Sequence, residues 1–224
     1  MMTPIAVEPF RFVTQIVQVE LTGLSARTIE ELLNHLRVVP VGVIYQHTHR
    51  FVNDHQFVSP EPPNDFAYWT AEMLGERRLG EQFAAVDIVR FHSLETLRDA
   101  LIGILERYVA NATVQRVAPD NGEFHFMKAV NVILPTPYQA STLGEFLDGL
   151  QKVSVHSLYH HMIDARLRLK RERNDFSAWM EHSLGEHSLA RSIAGMDPYT
   201  QTLEGLRRRI ARLTAQRIRE QETA

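Results

Sequence analysis

The chain has 224 residues, of which 44% are hydrophobic and 23% are charged, the proportions of an ordinary globular protein with a substantial core. It contains no cysteine, which excludes disulfides, thiol nucleophiles and cysteine-ligated zinc or iron–sulfur clusters. Its formal net charge of −3 lacks the basic surplus of a generic nucleic-acid binder. The apolar runs are too short for a bilayer and no secretory signal is recognisable, so we expect a cytoplasmic protein without a membrane partner.

The first predicted element of the chain is a strand. Residues 10–21, FRFVTQIVQVEL, place apolar residues at every second position and are followed by a Thr-Gly stop. A capping box of Thr28 and Glu31 then begins a helix that breaks near Pro40. The second predicted helix carries the segment IYQHTHRFVNDH (44–55), with three histidines.

The next predicted helix begins at Asn64-Asp65, where capping explains the two residues better than a pair of catalytic carboxylates. Gly75 fits its C-terminal stop. A short helix that ends near Asp87 and a long helix from about residue 93 complete the series.

The same series of motifs then repeats. Residues 28–47 match residues 142–161 at an offset of 114, and the matched pairs include His47 with His161. This order of matches predicts an internal duplication of a unit of about 100 residues. The other matched motifs are FRF (10–12) with FHF (124–126), NDFAYW (64–69) with NDFSAW (174–179), LGE (74–76) with LGE (184–186), and SLETLR (93–98) with TLEGLR (202–207).

The repeat predicts the organisation of the whole chain. Residues 1–110 form the first copy, residues 111–123 a polar linker and residues 124–224 the second copy, and we expect both copies to pack as one compact domain. Each copy has one strand and about four helices, so the predicted class is mainly α (α+β) with pseudo-two-fold symmetry. The two strands are expected to pair, because a lone strand is a poor independent fold. An all-α fold is the alternative.

Helical geometry limits what the histidine-rich segment can do. Two residues of helix turn the direction by roughly 200°, so His47 and His49 diverge instead of chelating a metal. His55 falls on the apolar stripe of this helix, whereas His160 in the second copy is predicted to face solvent. Because no H-E-x-x-H pair occurs, we predict no metal site.

Two tyrosine–histidine pairs are the candidate binding residues: Tyr45 with His47, and Tyr159 with His161. A pseudo-two-fold axis would bring them into one central pocket. The structural alternative is that each histidine is half buried and hydrogen-bonded to a carbonyl or a carboxylate.

Other residues admit a functional and a structural interpretation. Trp69 and Trp179 are predicted core residues, with stacking on a sugar or base as the alternative. Arg207, Arg208 and Arg209 are a candidate anion-binding group, although a solvated helix end explains them equally well. The second basic run, residues 166–173, has the same two interpretations.

The motifs IYQHTHRF, SPEPPNDFAYW, SLYHHMIDARLRL and NDFSAW together give the chain a family resemblance. It resembles an uncharacterised prokaryotic domain of unknown function whose members carry a YxHTH segment followed by PNDFAYW. The resemblance covers nearly the whole chain. It implies a bacterial or archaeal cytoplasmic protein, and it supplies neither an activity nor catalytic residues.

Three functions are compatible with these observations. The first is a non-catalytic binding or regulatory module with a cleft between the copies, for a small anionic metabolite or a protein partner. The second is a His-dependent enzyme or metal-dependent hydrolase that uses His47 and His161. The third, which the charge disfavours, is a nucleic-acid-binding accessory protein. No cofactor can be named, and the apolar stripe of the last helix predicts a homodimer.

Overall fold

A computed structural model describes residues 4–50, 63–91, 93–111, 116–164, 167, 173–198 and 202–223. Their contacts divide the chain into two compact units. The first unit is residues 17–130, and the second unit is residues 1–16 together with residues 131–224. His55 and most of the basic segment 166–173 lie outside the described residues.

The described residues are mainly helical and include a two-stranded antiparallel sheet, so the predicted α+β class is confirmed and the all-α alternative is wrong. None of the described helices combines the length and the apolar content needed to span a bilayer. The elements up to residue 111 are β1 (Phe10–Ala26), α1 (Ile29–Leu36), α2 (Val41–Tyr45), α3 (Asp65–Tyr68), α4 (Arg77–Ala84), a 3-10 turn (Ile88–Arg90) and α5 (Leu94–Asn111). The later elements are β2 (Phe124–Ala140), α6 (Leu143–Lys152), α7 (Val155–Tyr159), α8 (Asp175–His182), α9 (His187–Ala194) and α10 (Leu203–Thr223).

Three helices continue into wider, π-helical turns that the sequence pattern did not predict. These turns are Gln46–Arg50 after α2, Trp69–Met73 after α3 and His160–Asp164 after α7. Such turns are rare and often occur at functional sites. Two of them carry the histidines singled out in the sequence.

The strand β1 runs past the predicted Thr-Gly stop, and β2 likewise continues through the matched segment Pro135-Thr136-Pro137. At each of these points a threonine hydroxyl joins the strands: Thr22 Oγ1 donates to the Phe126 carbonyl at 2.7 Å, and Thr136 Oγ1 donates to the Phe12 carbonyl at 2.5 Å. Proline is tolerated because each strand of a two-stranded sheet has an open edge where an N–H needs no partner.

The start of each strand supplies aromatic rings to the core of a unit. In the first unit Phe124 stacks on Phe66 with ring centroids 5.2 Å apart and meets the edge of Trp69 at 5.7 Å. In the second unit Phe10 lies 5.3 Å from Phe176 and is similarly enclosed. Within each unit, therefore, the strand that opens one sequence copy packs on helices of the other copy.

The described part of the predicted linker belongs to the first unit. Ala118 is buried and donates its N–H to the Arg27 carbonyl at 2.8 Å. The Arg27 guanidinium also pairs with Asp120 at 2.9 Å. These contacts fix residues 116–123 onto the end of β1.

The helix termini follow the capping residues that the sequence predicts. Thr28 and Thr142 accept hydrogen bonds from the N–H groups of Glu31 and Glu145. The two glutamate carboxylates accept from the residue before each threonine, one position earlier than in the standard capping box. The positive φ angle of Gly75 (69°) confirms it as the predicted helix stop, and the matched Gly185 has the same backbone conformation (71°).

The apolar stripe of the last helix is largely covered within the second unit. Leu206 and Ile210 of α10 are fully buried, while Leu203 and Leu213 are partly exposed. This helix therefore lacks the uncovered stripe from which a homodimer was predicted, and the homodimer stays a prediction.

Two glycines of α6 provide a test of packing against β1. A Cβ at Gly149 would lie 2.5 Å from Phe12 Cε2 in the core, whereas a Cβ at Gly144 would meet nothing closer than 3.8 Å. We expect Gly149→Ala to lower the free energy of unfolding by about 1–3 kcal/mol through overpacking. Gly144→Ala should be neutral or stabilise by up to about 1 kcal/mol. Urea unfolding measures both, and equal effects would contradict the packing described.

Candidate functional site

His47 lies buried in the first unit, at the start of the π-helical turn that follows α2, with 1% of its surface exposed. Its Nδ1 is 2.6 Å from Asp65 Oδ2. Its Nε2 accepts a hydrogen bond from the backbone N–H of Met127 in β2 at 2.9 Å. The ring also packs on Phe124, with centroids 4.7 Å apart. The imidazole therefore joins β2 to the start of α3.

His161 makes the same contacts in the second unit, where it is 3% exposed. Its Nδ1 lies 2.9 Å from Asp175 Oδ2, and its Nε2 accepts from the Val13 N–H of β1 at 3.0 Å. Phe10 packs against the ring at a centroid distance of 4.9 Å. The equivalent residues of the two units differ in number by the offsets found in the sequence. The offset is 114 positions for the strand residue and the histidine, and 110 positions for the aspartate.

These contacts determine the tautomer of both rings. A backbone N–H only donates, so Nε2 of each histidine carries the lone pair and Nδ1 carries the proton. That proton is donated to the aspartate. In this arrangement neither His47 nor His161 has a second lone pair for a metal ion or for a substrate proton. Their geometry matches the structural alternative, with a carboxylate as partner.

Sequence reasoning missed the role of the two aspartates. It assigned Asn64-Asp65, and through the repeat the matched Asn174-Asp175, to capping. Only the asparagines cap the helices, by accepting from the Ala67 and Ser177 N–H groups at 2.9 Å. The aspartates turn toward the histidines instead. The repeat contained an indication of this role, because the histidine and the aspartate both occur at matched positions in the two copies.

His160 differs from its prediction. It was expected to face solvent, yet it is only 2% exposed and its Nδ1 lies 2.9 Å from Gln15 Oε1 of β1. The wider π-helical turn changes which side chains face inward, and β1 supplies a polar partner on that side. The matched residue in the first copy is Gln46, which is also buried, and its Oε1 has no hydrogen-bond partner in the described part of the chain.

A group of possible metal ligands occurs beside His161. Among the described residues, one ligand atom each from His160, His161 and Asp175 lies within 4.8 Å of the other two. The distances suit a cation, but His161 could bind one only by giving up its hydrogen bond from Val13. The donor set therefore does not fit a metal while β1 holds this position.

The two predicted tyrosines are both buried, each with 5% of its surface exposed. Tyr45 stacks on His49, with ring centroids 5.9 Å apart and an angle of 8° between the planes. Burial lowers the pKa of His49 to about 3, so this ring is neutral near pH 7. His49 Nδ1 lies 3.0 Å from Thr48 Oγ1, whereas His47 contacts Asp65. The predicted divergence of the two histidines agrees with these separate partners.

The predicted tryptophans are core residues. Trp69 and Trp179 are 4% and 7% exposed. Each indole N–H donates to a backbone carbonyl, Gly122 for Trp69 at 2.7 Å and Glu8 for Trp179 at 2.8 Å. Neither ring is available to stack on a ligand.

The first of the three candidate arginines has a structural role. Arg207 Nη1 donates to the carbonyls of Leu150 and Val153, the latter at 2.8 Å, and so holds the C-terminal end of α6. Its Nε pairs with Glu204 at 3.1 Å. Arg208 and Arg209 are exposed. The three side chains therefore do not act as one group, and anion binding by them stays a prediction.

An open cleft of about 490 Å³ lies in the first unit between α4 and α5. No sequence motif marks it, because its residues come from two helices. The two copies differ at this cleft: Arg78 and Arg107 of the first copy are matched by Ser188 and Gln216 in the second. The cleft is lined by Arg78, Gln82, Arg107, Tyr108 and Asn111.

Comparison with known proteins gives a family and a structure. The model of a family described as "Family of unknown function (DUF5752)" matches residues 7–215. The chain is also similar to OrfY from Thermoproteus tenax, with 27% sequence identity, a TM-score of 0.80, and coverage of 95% of this chain and 96% of that one. No match was found among curated proteins.

The role of the histidines can be tested by removing their acceptor nitrogens. We expect His47→Phe and His161→Phe each to lower the free energy of unfolding by about 1–3 kcal/mol, because a buried strand N–H and a carboxylate lose their partner. His125→Phe is the control, since His125 is exposed on the same strand that contacts His47. Urea unfolding at pH 7 measures all three. Variants as stable as the original chain would contradict the bridging role.

The pKa of His49 predicts a pH dependence of stability. The unfolded ring has an ordinary pKa near 6.5 and binds protons that the folded ring, with a pKa of about 3, does not. The contribution of the neutral His49 ring to the free energy of unfolding is therefore complete above about pH 6.5. It is lost as the pH falls toward 3, by up to about 1.4 kcal/mol per pH unit. Unfolding free energies at pH 7, 6 and 5 should fall less steeply for His49→Gln. His125→Gln should retain the original slope, and a common slope for all three chains would refute the prediction.

Proposed function

We propose that this chain, which belongs to the DUF5752 family of unknown function, is a non-catalytic binding or regulatory module. The observation that carries the proposal is the complete use of both ring nitrogens of His47 and His161 within the fold. A general base needs a free lone pair within reach of its substrate proton. Neither of these rings offers one.

The binding part of the proposal is supported by the cleft between α4 and α5. It combines an open volume of about 490 Å³ with two arginines and three further polar side chains. Ligand pockets have volumes of roughly 300–1,000 Å³ and use few polar groups to orient the ligand. A small anionic metabolite fits this composition better than an apolar ligand does.

We also propose that the two sequence copies arose by duplication. Supporting this, each unit repeats not only residue types but individual hydrogen bonds. Equivalent bonds join the following donors and acceptors: Met127 with His47 and Val13 with His161; Thr22 with Phe126 and Thr136 with Phe12; Trp69 with Gly122 and Trp179 with Glu8; Arg98 with Val39 and Arg207 with Val153.

The alternative function is a His-dependent enzyme or a metal-dependent hydrolase. The grouping of His160, His161 and Asp175 is the observation in its favour. It requires His161 to release Val13 and to expose a lone pair. A measurement of tautomer and metal response therefore separates the two functions.

We expect nitrogen-15 NMR at pH 7 to show His47 and His161 as neutral rings protonated at Nδ1. Addition of Zn²⁺ or Mn²⁺ should leave both spectra and the melting temperature unchanged. A cation bound at 100 times its Kd would stabilise the protein by about 2.7 kcal/mol, which a thermal melt readily detects. Stabilisation by either metal that His161→Gln abolishes would contradict the proposal and favour the enzyme.

A further inference from the structure

We propose that the cleft between α4 and α5 binds a small polyanion, a molecule with at least two phosphate or carboxylate charges, through Arg78 and Arg107. This inference rests on the binding function proposed above and names its ligand class.

The first support is the state of the two guanidinium groups. In the part of the chain that the structure describes, neither Arg78 nor Arg107 has a side-chain hydrogen bond or an ion pair. Other arginines of the same unit do have carboxylate partners, among them Arg37 with Glu106 at 2.7 Å. Two cations on neighbouring helices thus line one cleft without an acidic partner, and the planar guanidinium suits bidentate contacts with phosphate or carboxylate.

The second support is the neutral polar lining. Gln82 and Asn111 place amide groups beside the arginines. The Asn111 amide already donates to the Arg107 carbonyl at 2.6 Å, which fixes its orientation over the last turn of α5. Amide N–H groups are donors to anionic oxygens, and no carboxylate belongs to the described lining of the cleft.

Glu76, a carboxylate near Tyr108 of the lining, is engaged in an ion pair. Glu76 pairs with Arg116 Nε at 2.7 Å. Partial burial and the nearby Glu76 carboxylate raise the pKa of Tyr108 to about 12. The hydroxyl therefore stays uncharged near pH 7 and adds no negative charge to the cleft.

The second unit shows that the fold does not require these arginines. At the matched positions Ser188 and Gln216 stand on helices of the same kind, α9 and α10. There the residue matched with Tyr108 is Arg217, which pairs with Glu186 at 2.6 Å. Both units therefore hold this glutamate in an ion pair, with Arg116 in the first unit and Arg217 in the second, and Arg78 and Arg107 are additional cations of the first unit.

Calorimetric titration at low ionic strength tests the proposal, with inorganic pyrophosphate and succinate as separate probes. We expect the original chain to bind at least one probe, and the one that binds more tightly identifies phosphate or carboxylate as the preferred group. The double variant Arg78→Ser/Arg107→Gln should bind at least about tenfold more weakly, because it loses both charged contacts. Both substitutions introduce residues that the matched helices of the second unit already carry, and circular dichroism verifies that the variant folds.

The matched control is Arg212→Gln/Arg219→Gln, which removes the same charge from exposed positions of α10 in the second unit. We expect its Kd to equal that of the original chain. Binding of neither probe, an unchanged Kd for the cleft variant, or equal weakening by both double variants would overturn the polyanion site. Phosphate release from pyrophosphate is followed in the same samples. If it occurs and depends on His161, the non-catalytic function fails while the binding site stands.

Discussion

A backbone amide that donates to a buried imidazole is the interaction on which each unit depends. In the first unit it links Met127 of β2 to His47, and the opposite nitrogen of the same ring links to Asp65 at the start of α3. The His47 side chain is 2% exposed and that of Asp65 is 26% exposed. Removing the imidazole would leave the strand amide and the carboxylate without their partner, at a cost of about 1–3 kcal/mol. One side chain thereby fixes a strand, a π-helical turn and a helix together.

The two-stranded sheet explains why a histidine stands at this position. Each strand has an open edge, and an edge strand that is buried in a core must find acceptors for its outward N–H groups. The aromatic rings of Phe124 and Phe66 exclude water there and accept no conventional hydrogen bond. An imidazole packs like an aromatic ring and also presents a lone pair, so it satisfies the amide without opening the core.

This structural role redirects the search for function. The residues that both copies preserve, namely the histidine, the aspartate, the capping asparagine and the tryptophan, are all used by the fold. The residues that differ between the copies are freer to serve a ligand. Arg78 and Arg107 stand where the second copy has a serine and a glutamine. Comparison of the matched segments can thus separate the requirements of folding from those of binding within a single chain.

The sequence by itself determined the local structure. Caps, glycine stops, the strands and the helix class depend on side chains within a few residues of each other, and Thr28, Asn64 and Gly75 appear in the structure where the pattern placed them. It also indicated that His47 and His161 were equivalent. Only the tertiary structure decided their partners, because the aspartate is 18 or 14 residues away and the strand amide 80 or 148. The sequence does not encode such distances as a pattern: burial of His160, extension of β1 past its Thr-Gly and the cleft between α4 and α5 all arise from packing between remote segments.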